Sequence, residues 1–347
     1  MSTRFNRVIH TIDSHTEGNP TRVITGGVPV PPGKTLLDKR EWLWRHDDSL
    51  RRLLNFEPRG SAMMCSVLVL PPVAEDADFS VIIMEQDEYV PMCGHCMIGT
   101  ATTVLANGMV KAVEPVTTVT FETPGGIVRC DVSIENGDIG AVALTNVPSF
   151  VLHQDKTIDV PELGQTGVDV AYGGDFYAYI DADAIGLDIG PENDAEMIRL
   201  ANLIIPAVNQ QLDIRHPERP DINRCYQTFY HSKNTTTGDY RQTIIAPPGA
   251  LDRSPCGTGT SSRIAMLLTR QEIGLGETRL FEGPLGTAFK GEAIDAQERD
   301  GILYVTPKVS GRAYVTGFHQ FVLDPEDPLP QGFRFGAPPR DVPMPSR

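Results

Sequence analysis

The chain has 347 residues, which suits two domains of ordinary size, and 40% of its residues are apolar, enough to bury a sizeable core. Its formal net charge of −15 argues against nucleic acid and anionic membranes as partners, because both select basic patches. No apolar run approaches the roughly 18 residues of a membrane span, and the first residues lack the pattern of a signal peptide. Six cysteines in a chain of this length do not indicate a disulfide framework, so we predict a cytoplasmic protein with reduced thiols.

Short β-branched runs separated by Gly, Pro and Asn clusters predict strands along the first part of the chain. These runs are Arg7–Ile12, Thr21–Thr25, Phe79–Met84, Val116–Phe121, Ile127–Val132 and Ala141–Leu144. Between the first two lies a polar segment, Asp13–Thr16, which predicts a turn in which His15 satisfies backbone groups.

Helical spacing predicts a helix over Lys39–Phe56, ending before Pro58, and another over Glu192–Leu212. Two further helices are predicted to begin directly after Cys93 and Cys256. Stop signals follow each of them, Asn107-Gly108 after the first and Gly274 after the second.

An internal repeat connects the two Cys-Gly helices. Pro91–His95 is followed by an apolar helix and then by Phe121–Gly126, while Pro255–Thr258 is followed by an apolar helix and then by Phe281–Gly286. The two Cys-Gly pairs are 163 positions apart, and the two Phe-Glu pairs are 160 apart. Two landmarks in the same order at nearly the same offset predict two copies of one unit. A pseudo-twofold axis would place the two Cys-Gly turns opposite each other across a cleft.

A cysteine at the start of a helix has a distinctive chemistry. Unpaired N–H groups and the positive end of the helix dipole stabilise a thiolate, so we expect both thiols to have a pKa below the usual value of about 8.5. The glycine that follows each cysteine allows a ligand to approach the backbone. We therefore predict that the N–H groups of Gly94, His95, Gly257 and Thr258 bind a substrate carboxylate.

These features predict a reaction at the carbon next to that carboxylate. One thiolate removes the Cα proton, and the other thiol donates a proton to the opposite face, so that the configuration inverts. The helix N-termini stabilise the charge that develops in the carboxylate. This chemistry needs neither pyridoxal phosphate nor a metal, and the sequence contains neither a Gly-rich phosphate loop nor a paired metal-ligand motif.

Other interpretations of these cysteines remain open. Cys93–Cys96 is a Cys-x-x-Cys segment, which suggests a redox dithiol or zinc, but it lacks the thioredoxin-like context of the first and the further nearby ligands of the second. Cys65, Cys130 and Cys225 lie in apolar or strand-like contexts typical of packing. Asp252–Pro255 is compatible with a simple turn and helix cap, although its place beside the second Cys-Gly helix favours a role in the site.

Five motifs resemble the proline racemase family, and together they span nearly the whole chain. The two active-site signatures are Met92–His95 and Asp252–Thr260, and the others are Ile12–Thr16, Glu57–Gly60 and Gly311–Gly317. The first signature departs from the family at Cys96-Met97-Ile98-Gly99, where Gly-Thr-Ile-Gly is usual, and Asn19 stands in place of a usual Glu. The extra thiol of Cys96 either packs on the helix or makes the site prone to oxidation.

The resemblance implies an α+β fold of the diaminopimelate-epimerase type, with two pseudo-symmetric domains that each wrap strands around a central helix. We expect the first domain in residues 1–148, together with the C-terminal segment 310–347, and the second in 149–309. By the same resemblance, Cys93 and Cys256 transfer protons, while His95 and Asp252 lie near the ring nitrogen of the substrate. The family also implies that no cofactor is needed and that the partners are an amino-acid substrate and a second copy of the chain.

The choice among family activities depends on a few positions. Dehydratases of the family typically carry Thr in place of the second cysteine, so Cys256 favours inversion. Cys65 and Ala246 align with bulky Phe residues of proline racemases and leave room for a substituted ring, and Tyr226 aligns with a substrate-binding His of hydroxyproline epimerases. We therefore expect a 4-hydroxyproline 2-epimerase, with proline racemase and trans-3-hydroxy-L-proline dehydratase as alternatives. A protein that only senses amino acids would not need two thiols.

Overall fold

The computed structural model describes residues 5–220, 222–246 and 249–334. Contacts between Cα atoms divide the chain into two compact units. Among the described residues, the first unit takes 5–144 and 312–334, and the second unit takes Thr145–Gly311.

The first unit is a mixed sheet with three helices. Its strands and helices in chain order are β1 Arg7–Thr16, β2 Asn19–Gly26, α1 Leu36–His46, α2 Ser49–Asn55, β3 Cys65–Leu70, β4 Phe79–Met84, α3 Gly94–Ala106, β5 Val116–Thr123, β6 Gly126–Glu135, β7 Asp138–Thr145 and, near the end of the chain, β17 Ala313–Leu323.

Two crossovers shape this sheet. The strands β2 and β3 are parallel, and so are β4 and β5, whereas β1 pairs antiparallel with both β2 and β17. Parallel neighbours need a long connection, which α1 and α2 provide for the first pair and α3 for the second. Helix α3 is buried along nearly its whole length and contacts β1, β2, β3, β6 and β17, so the strands surround it. Its residues other than His95 and three threonines are apolar, and none is acidic, Lys or Arg, which suits a helix buried on all sides.

The second unit has the same kinds of element. In chain order they are β8 Phe150–Val160, β9 Gly164–Tyr172, β10 Phe176–Asp181, two 3₁₀ turns at Asp183–Ile185 and Pro191–Asn193, α4 Asp194–Gln211, β11 Gln227–Ser232, β12 Tyr240–Ala246, β13 Ala250–Leu251, α5 Gly257–Thr269, β14 Arg279–Glu282, β15 Ala288–Arg299 and β16 Ile302–Gly311.

The predicted repeat is confirmed by strand pairing. In the second unit β10 and β11 are parallel, and α4 lies in the connection between them. The strands β12 and β14 are also parallel, and α5 lies in their connection. Helix α5 is buried and contacts β8, β9, β15 and β16. Each unit is thus an α+β fold with strands around one central helix, in agreement with the prediction.

The repeated Phe-Glu pairs play the same part in both units. Phe121 and Phe281 are fully buried. Glu122 accepts hydrogen bonds from two backbone N–H groups in the loop between β3 and β4. Glu282 accepts three such bonds, from Thr236–Gly238 in the loop between β11 and β12. Each carboxylate therefore anchors the loop of the hairpin that precedes its helix.

All six predicted strand runs are confirmed as parts of strands β1, β2 and β4–β7. Three other expectations are wrong. Asp13–Thr16 continues strand β1 and is not a turn, because the chain reverses only at Glu17 and Gly18. The helix predicted over Lys39–Phe56 is two helices, since Asp48 caps a new one. Helix α5 ends before Gly274.

The physical cause of the two helix corrections is local. Asp47, with φ of −148° and ψ of 68°, leaves the helical conformation and ends α1, and Asp48 is the residue before α2. At the end of α5, Gln271 adopts the left-handed conformation with φ of 58° and stops the helix after Thr269. Within the described residues, no helix is long and apolar enough to cross a membrane.

Candidate active site

Cys93 lies at the N-terminus of the central helix of the first unit, and helix α3 begins directly after it at Gly94, as predicted. The thiol is partly exposed, while Gly94 and His95 are buried. Its Sγ atom lies 3.1 Å from Nδ1 of His95. A thiol and an imidazole in hydrogen-bond contact are therefore the centre of the candidate site in the first unit.

The protonation of this pair favours charge separation. The hydrogen bond with Cys96 and the charge of His95 hold the pKa of Cys93 well below its ordinary value, in spite of burial. Burial alone would lower the pKa of His95, but the charge of Cys93 and the hydrogen bond with Cys65 raise it well above its ordinary value. Both shifts favour the same form of the pair, a thiolate beside an imidazolium.

Strands β1 and β2 hold His95 in place. The hydroxyl of Thr16 donates a hydrogen bond of 2.9 Å to the backbone oxygen of His95. The amide Nδ2 of Asn19 lies 3.4 Å from Nδ1 and 3.2 Å from Nε2 of the ring. Neither contact was predicted, although Asn19 stood out in the sequence as a departure from the family motif.

Two further thiols surround the same ring. The Sγ atoms of Cys65 and Cys96 and a ring nitrogen of His95 all lie within 4.8 Å of one another. Hydrogen bonds with Cys96 and His95 outweigh burial and lower the pKa of Cys65 to about 7. Burial raises the pKa of Cys96 well above its ordinary value. Cys65 was predicted both as a packing residue and as a substrate-pocket residue, and the structure places it beside the Cys93–His95 pair.

Glu85 is another titratable group near Cys93 that the sequence did not suggest. Burial, followed by the charges of Cys65 and Cys93, raises the pKa of its carboxyl group well above the ordinary value. The raised pKa favours the protonated carboxyl group, the form that adds no negative charge beside Cys65 and Cys93.

Residues of the Ile12–Thr16 motif stabilise the strands around α3. The carboxylate of Asp13 pairs with the guanidinium of Arg22 at 2.8 Å, and both side chains are buried. His15 accepts a hydrogen bond of 3.1 Å from the backbone N–H of Gly18, and its ring stacks on Tyr314. The prediction that His15 satisfies backbone groups is confirmed.

Cys256 lies at the N-terminus of the central helix of the second unit, and α5 begins after it at Gly257, as predicted. Its thiol is 6% exposed and accepts a hydrogen bond of 3.2 Å from the backbone N–H of Gly259. Its φ of 64° is a conformation that residues with a side chain rarely adopt. Cys93, with φ of −148°, is extended. The two cysteines thus share a position in the repeat but not a backbone conformation.

The expectation of a low pKa for both thiols is wrong for Cys256. Burial, followed by the negative charge of Asp252, raises its pKa to about 12. Its side-chain partners are the hydroxyls of Thr258 at 3.5 Å and Tyr177 at 3.9 Å. Hydroxyls and one backbone N–H do not compensate a buried thiolate as the imidazolium of His95 does, so Cys256 is a neutral thiol.

The segment before Cys256 is a hydrogen-bonded turn. Oδ1 of Asp252, which is 5% exposed, accepts bonds of 2.8 Å from both the backbone N–H and the hydroxyl of Ser254. The hydroxyl of Ser254 in turn accepts a bond of 3.1 Å from the backbone N–H of Cys256. This chain of bonds fixes the backbone that carries the thiol, and a contact of Asp252 with substrate stays a prediction.

Tyr177 on β10 is a neighbour of Cys256 that the sequence did not identify. Its hydroxyl lies 2.6 Å from the hydroxyl of Thr258, and its ring is buried. Phe176 and Tyr179 on the same strand are also aromatic, which is typical of a core strand but gives no signal for this contact.

The remaining predicted pocket residues, Ala246 and Tyr226, lie at the end of one strand and just before another in the second unit. Ala246 is the last residue of β12, pairs with Ala250 and is half-buried. Tyr226 precedes β11, is half-buried, and its ring centre lies 5.5 Å from the guanidinium carbon of Arg224. A contact of either residue with substrate stays a prediction.

Comparison with known proteins places this chain in a family. The family described as proline racemase matches residues 11–334. A 4-hydroxyproline 2-epimerase of Streptosporangium roseum is 42% identical over 330 residues, which cover 95% of this chain and 99% of that protein. A proline racemase of Clostridioides difficile is 39% identical over 335 residues, with coverage of 95% and 99%.

A solved structure agrees with these relatives. The crystal structure of a hydroxyproline epimerase from Agrobacterium vitis, with bound trans-4-hydroxy-L-proline, is 34% identical and superposes with a TM-score of 0.85. The match covers 96% of this chain and 97% of that one. The two Cys-Gly helices, the repeated fold and these relatives all agree: the chain belongs to the proline racemase family.

Proposed function

We propose that this protein is a cofactor-independent 4-hydroxyproline 2-epimerase that inverts Cα by proton transfer at two thiols. The observation that carries the proposal is that Cys93 and Cys256 each lie at the start of a central helix, in surroundings that shift their pKa values in opposite directions. Inversion through a planar carbanion needs one base and one acid at the same time. The thiolate of Cys93 supplies the base, and the neutral thiol of Cys256 supplies the acid.

The backbone supplies the carboxylate-binding groups of this mechanism. The first N–H groups of a helix have no partner within the helix and lie at the positive end of its dipole. Those of Gly94 and His95 in α3, and those of Gly257 and Thr258 in α5, would bind the carboxylate and stabilise the charge that it gains as the Cα proton leaves. Asp252 and His95 would orient the ring nitrogen.

The proton balance of one turnover is complete. Cys93 accepts the Cα proton and becomes a thiol, and Cys256 gives its proton to the opposite face and becomes a thiolate. Because burial disfavours the Cys256 thiolate, the enzyme must then lose a proton from Cys93 and regain one at Cys256 before it can act again on the same epimer. The reverse reaction starts from this second protonation state.

Small side chains support a hydroxylated substrate over proline. Cys65 and Ala246 stand where bulky residues would close the pocket around an unsubstituted ring, and Tyr226 offers a hydroxyl for the ring substituent. The 42% identical relative is a 4-hydroxyproline 2-epimerase, and the solved relative binds trans-4-hydroxy-L-proline. We also propose that the protein is cytoplasmic and forms a homodimer, for which light scattering would give twice the chain mass of 37.9 kDa.

Polarimetry of the purified protein tests the function. The protein is treated with EDTA, no cofactor is added, and trans-4-hydroxy-L-proline and L-proline are offered separately. We expect the optical rotation of the hydroxyproline solution to change at constant amino-acid concentration, with a far slower change for proline. Faster turnover of proline would mean that the enzyme is a proline racemase and that Cys65 and Ala246 do not set specificity. Loss of amino acid with formation of a ketone from 3-hydroxyproline would instead identify a dehydratase.

A further inference from the structure

Two cysteine sulfurs and one histidine ring nitrogen lie close together in the first unit. The proposed reaction does not need all three of them. Cys65 at the start of β3 lies beside His95 and Cys96 in the first turn of α3, and their ligand atoms are within 4.8 Å of one another. These residues are 5%, 6% and 0% exposed. The sequence separates Cys65 from Cys96 by 31 positions, which is why the Cys-x-x-Cys segment alone gave too few ligands for a metal site.

The spacing suits a tetrahedral metal ion. Two thiolates and one imidazole are a ligand set that Zn²⁺ prefers, and three protein ligands leave a fourth position for water. With Zn–S near 2.3 Å and Zn–N near 2.0 Å, an S and an N ligand of one tetrahedral ion are about 3.5 Å apart. The Sγ atom of Cys96 and Nε2 of His95 are 3.4 Å apart. An ion could therefore bind here with little movement of this pair.

The other ring nitrogen already has the partner that such a histidine requires. A histidine that binds a metal through one nitrogen usually donates a hydrogen bond from the other. Nδ1 of His95 lies 3.1 Å from Sγ of Cys93, which would accept that bond when Nε2 binds the ion. The amide of Asn19, 3.2 Å from Nε2, would give up its contact to the ion.

The repeat shows that the fold does not need this cluster. The residue three positions after Cys256 is Gly259, at the place that Cys96 occupies after Cys93. There a side-chain carbon would approach Phe229 and Cys256 to 2.9 and 3.1 Å. The second unit thus leaves this position without a side chain, whereas the first unit fills it with a thiol that contacts His95.

We propose that Cys65, His95 and Cys96 bind one thiophilic divalent metal ion of the zinc class, and that the bound ion inhibits the enzyme. Each thiol loses its proton to solvent, and so does Nε2 of His95 where it carries one, as two metal–sulfur bonds and one metal–nitrogen bond form. The ion takes up Nε2 of His95, whose ring contacts Cys93 at 3.1 Å, so His95 can no longer orient the substrate beside that thiol. The inhibition rests on the proposed function, whereas the binding does not.

Cobalt binding tests the site on the full chain. Metal-free protein, reduced with a phosphine and freed of reductant, is titrated with Co²⁺, and the thiolate-to-cobalt absorption is followed and then displaced with Zn²⁺. We expect one Co²⁺ per chain. Cys96→Ala, Cys96→Ser and Cys65→Ala should each weaken binding by about 100-fold or more, because each removes one of three ligands. Cys130→Ala, which removes a buried thiol on β6 of the same unit, is the matched control and should bind as the unaltered chain does.

The outcomes separate the site from the enzyme activity. Absence of thiolate-to-cobalt absorption, or binding that both folded Cys96 variants retain, would overturn the metal site whatever the activity is. Circular dichroism confirms that each variant is folded. The ratio of inversion rates with and without Zn²⁺ should be low for the unaltered chain and near one for Cys96→Ala. If metal-free protein inverts neither amino acid but binds cobalt as expected, the proposed function fails and the metal site stands.

Discussion

Cys93 and Cys256 occupy the same position in two copies of one fold, and their neighbours shift their pKa values in opposite directions. Cys96 and His95 lower the pKa of Cys93, whereas Gly259 and Thr258 hold the corresponding positions after Cys256. Helix N-termini are common to both thiols, so the dipole cannot account for the contrast. Burial raises the pKa of both, and only at Cys93 do a hydrogen bond and an adjacent cation outweigh it.

Removal of either thiol should abolish inversion while leaving part of the reaction. We expect Cys93→Ser and Cys256→Ser each to reduce inversion by at least about 10³-fold, since each face of Cα loses its acid/base group. Cys256→Ser retains the base, so one epimer should still exchange its Cα proton for deuterium in D₂O. Rotation and proton NMR measure the two processes together. Inversion near the normal rate in either variant would rule out the two-thiol mechanism.

The high pKa of Cys256 predicts its alkylation profile. Iodoacetamide reacts with thiolates, and a pKa of about 12 means that the thiolate fraction, and with it the rate, rises about tenfold for each pH unit between 7 and 10. Mass spectrometry of the peptide that contains Cys256 measures the rate separately from the other cysteines. Cys93, which is partly exposed, should react much faster near pH 7. A plateau in the Cys256 rate near neutral pH would show a thiolate there and contradict the proposed acid.

At the scale of elements, the start of helix α5 is built around a strained residue. Cys256 has φ of 64°, a conformation that costs a residue with a side chain about 1 kcal/mol or more. We therefore expect the free energy of unfolding of Cys256→Gly, measured in urea, to exceed that of Cys256→Ala by about 1 kcal/mol, although both variants lack the thiol.

The matching pair at Cys93 is the control for this comparison. Its φ of −148° suits any residue, so Cys93→Ala should be as stable as Cys93→Gly or more stable. The same order of stability at both positions would show that the conformation of Cys256 stores no strain.

The loop anchored by Glu282 predicts a pH-dependent contribution to stability. Backbone and hydroxyl donors at Thr236–Gly238 outweigh burial and hold the pKa of Glu282 below its ordinary value. A lowered pKa in the folded state means that the stabilisation is complete above the unfolded pKa, near 4.3, and is lost as pH falls through the folded pKa. Glu282→Gln should cost about 2 kcal/mol at pH 7, since hydrogen bonds to a charged group are lost.

Urea unfolding at several pH values measures this contribution. The difference between Glu282→Gln and the unaltered chain should shrink as pH falls below about 4. Glu298→Gln, on the exposed end of β15, is the control and should change the free energy of unfolding little at any pH. A constant difference across the pH range would mean that the charge of Glu282 contributes nothing.

The elements that the sequence predicted well are those set by local chemistry. A β-branched run bounded by turn residues, or a Cys-Gly pair before an apolar run, carries its signal within a few residues, and β4 and the starts of α3 and α5 lie where expected. The features that the sequence did not predict depend on tertiary contacts. The pKa of Cys256 is set by burial and by Asp252, and the thiol cluster joins Cys65 on β3 to the first turn of α3. Tyr177 reaches Thr258 across 81 positions of the chain.

At the scale of the whole molecule, the repeat explains why so much function follows from a short motif. The fold brings one helix N-terminus to the centre of each unit, and duplication supplies two such positions. Divergence at a few residues then gives the two copies different chemistry: His95 against Thr258 after the cysteine, and Cys96 against Gly259 one turn into the helix. The shared fold is visible in sequence spacing, whereas the assignment of acid and base depends on what surrounds each copy.

The net charge of the whole chain predicts its response to salt. With a formal net charge of −15 at pH 7, the excess negative side chains repel one another in the folded state. Dissolved ions screen that repulsion beyond about 10 Å at 0.1 M. Buried pairs such as Arg22–Asp13 are screened much less, so added NaCl should stabilise the fold. Between 0.02 and 0.3 M NaCl at pH 7, we expect the unfolding temperature to rise by about 2 °C or more in differential scanning calorimetry.

The control is the same titration near the isoelectric point of about 4.9, where self-repulsion is small and the rise should vanish. An equal rise at both pH values would mean that salt acts on burial of apolar surface and that the acidity of the chain costs it no stability.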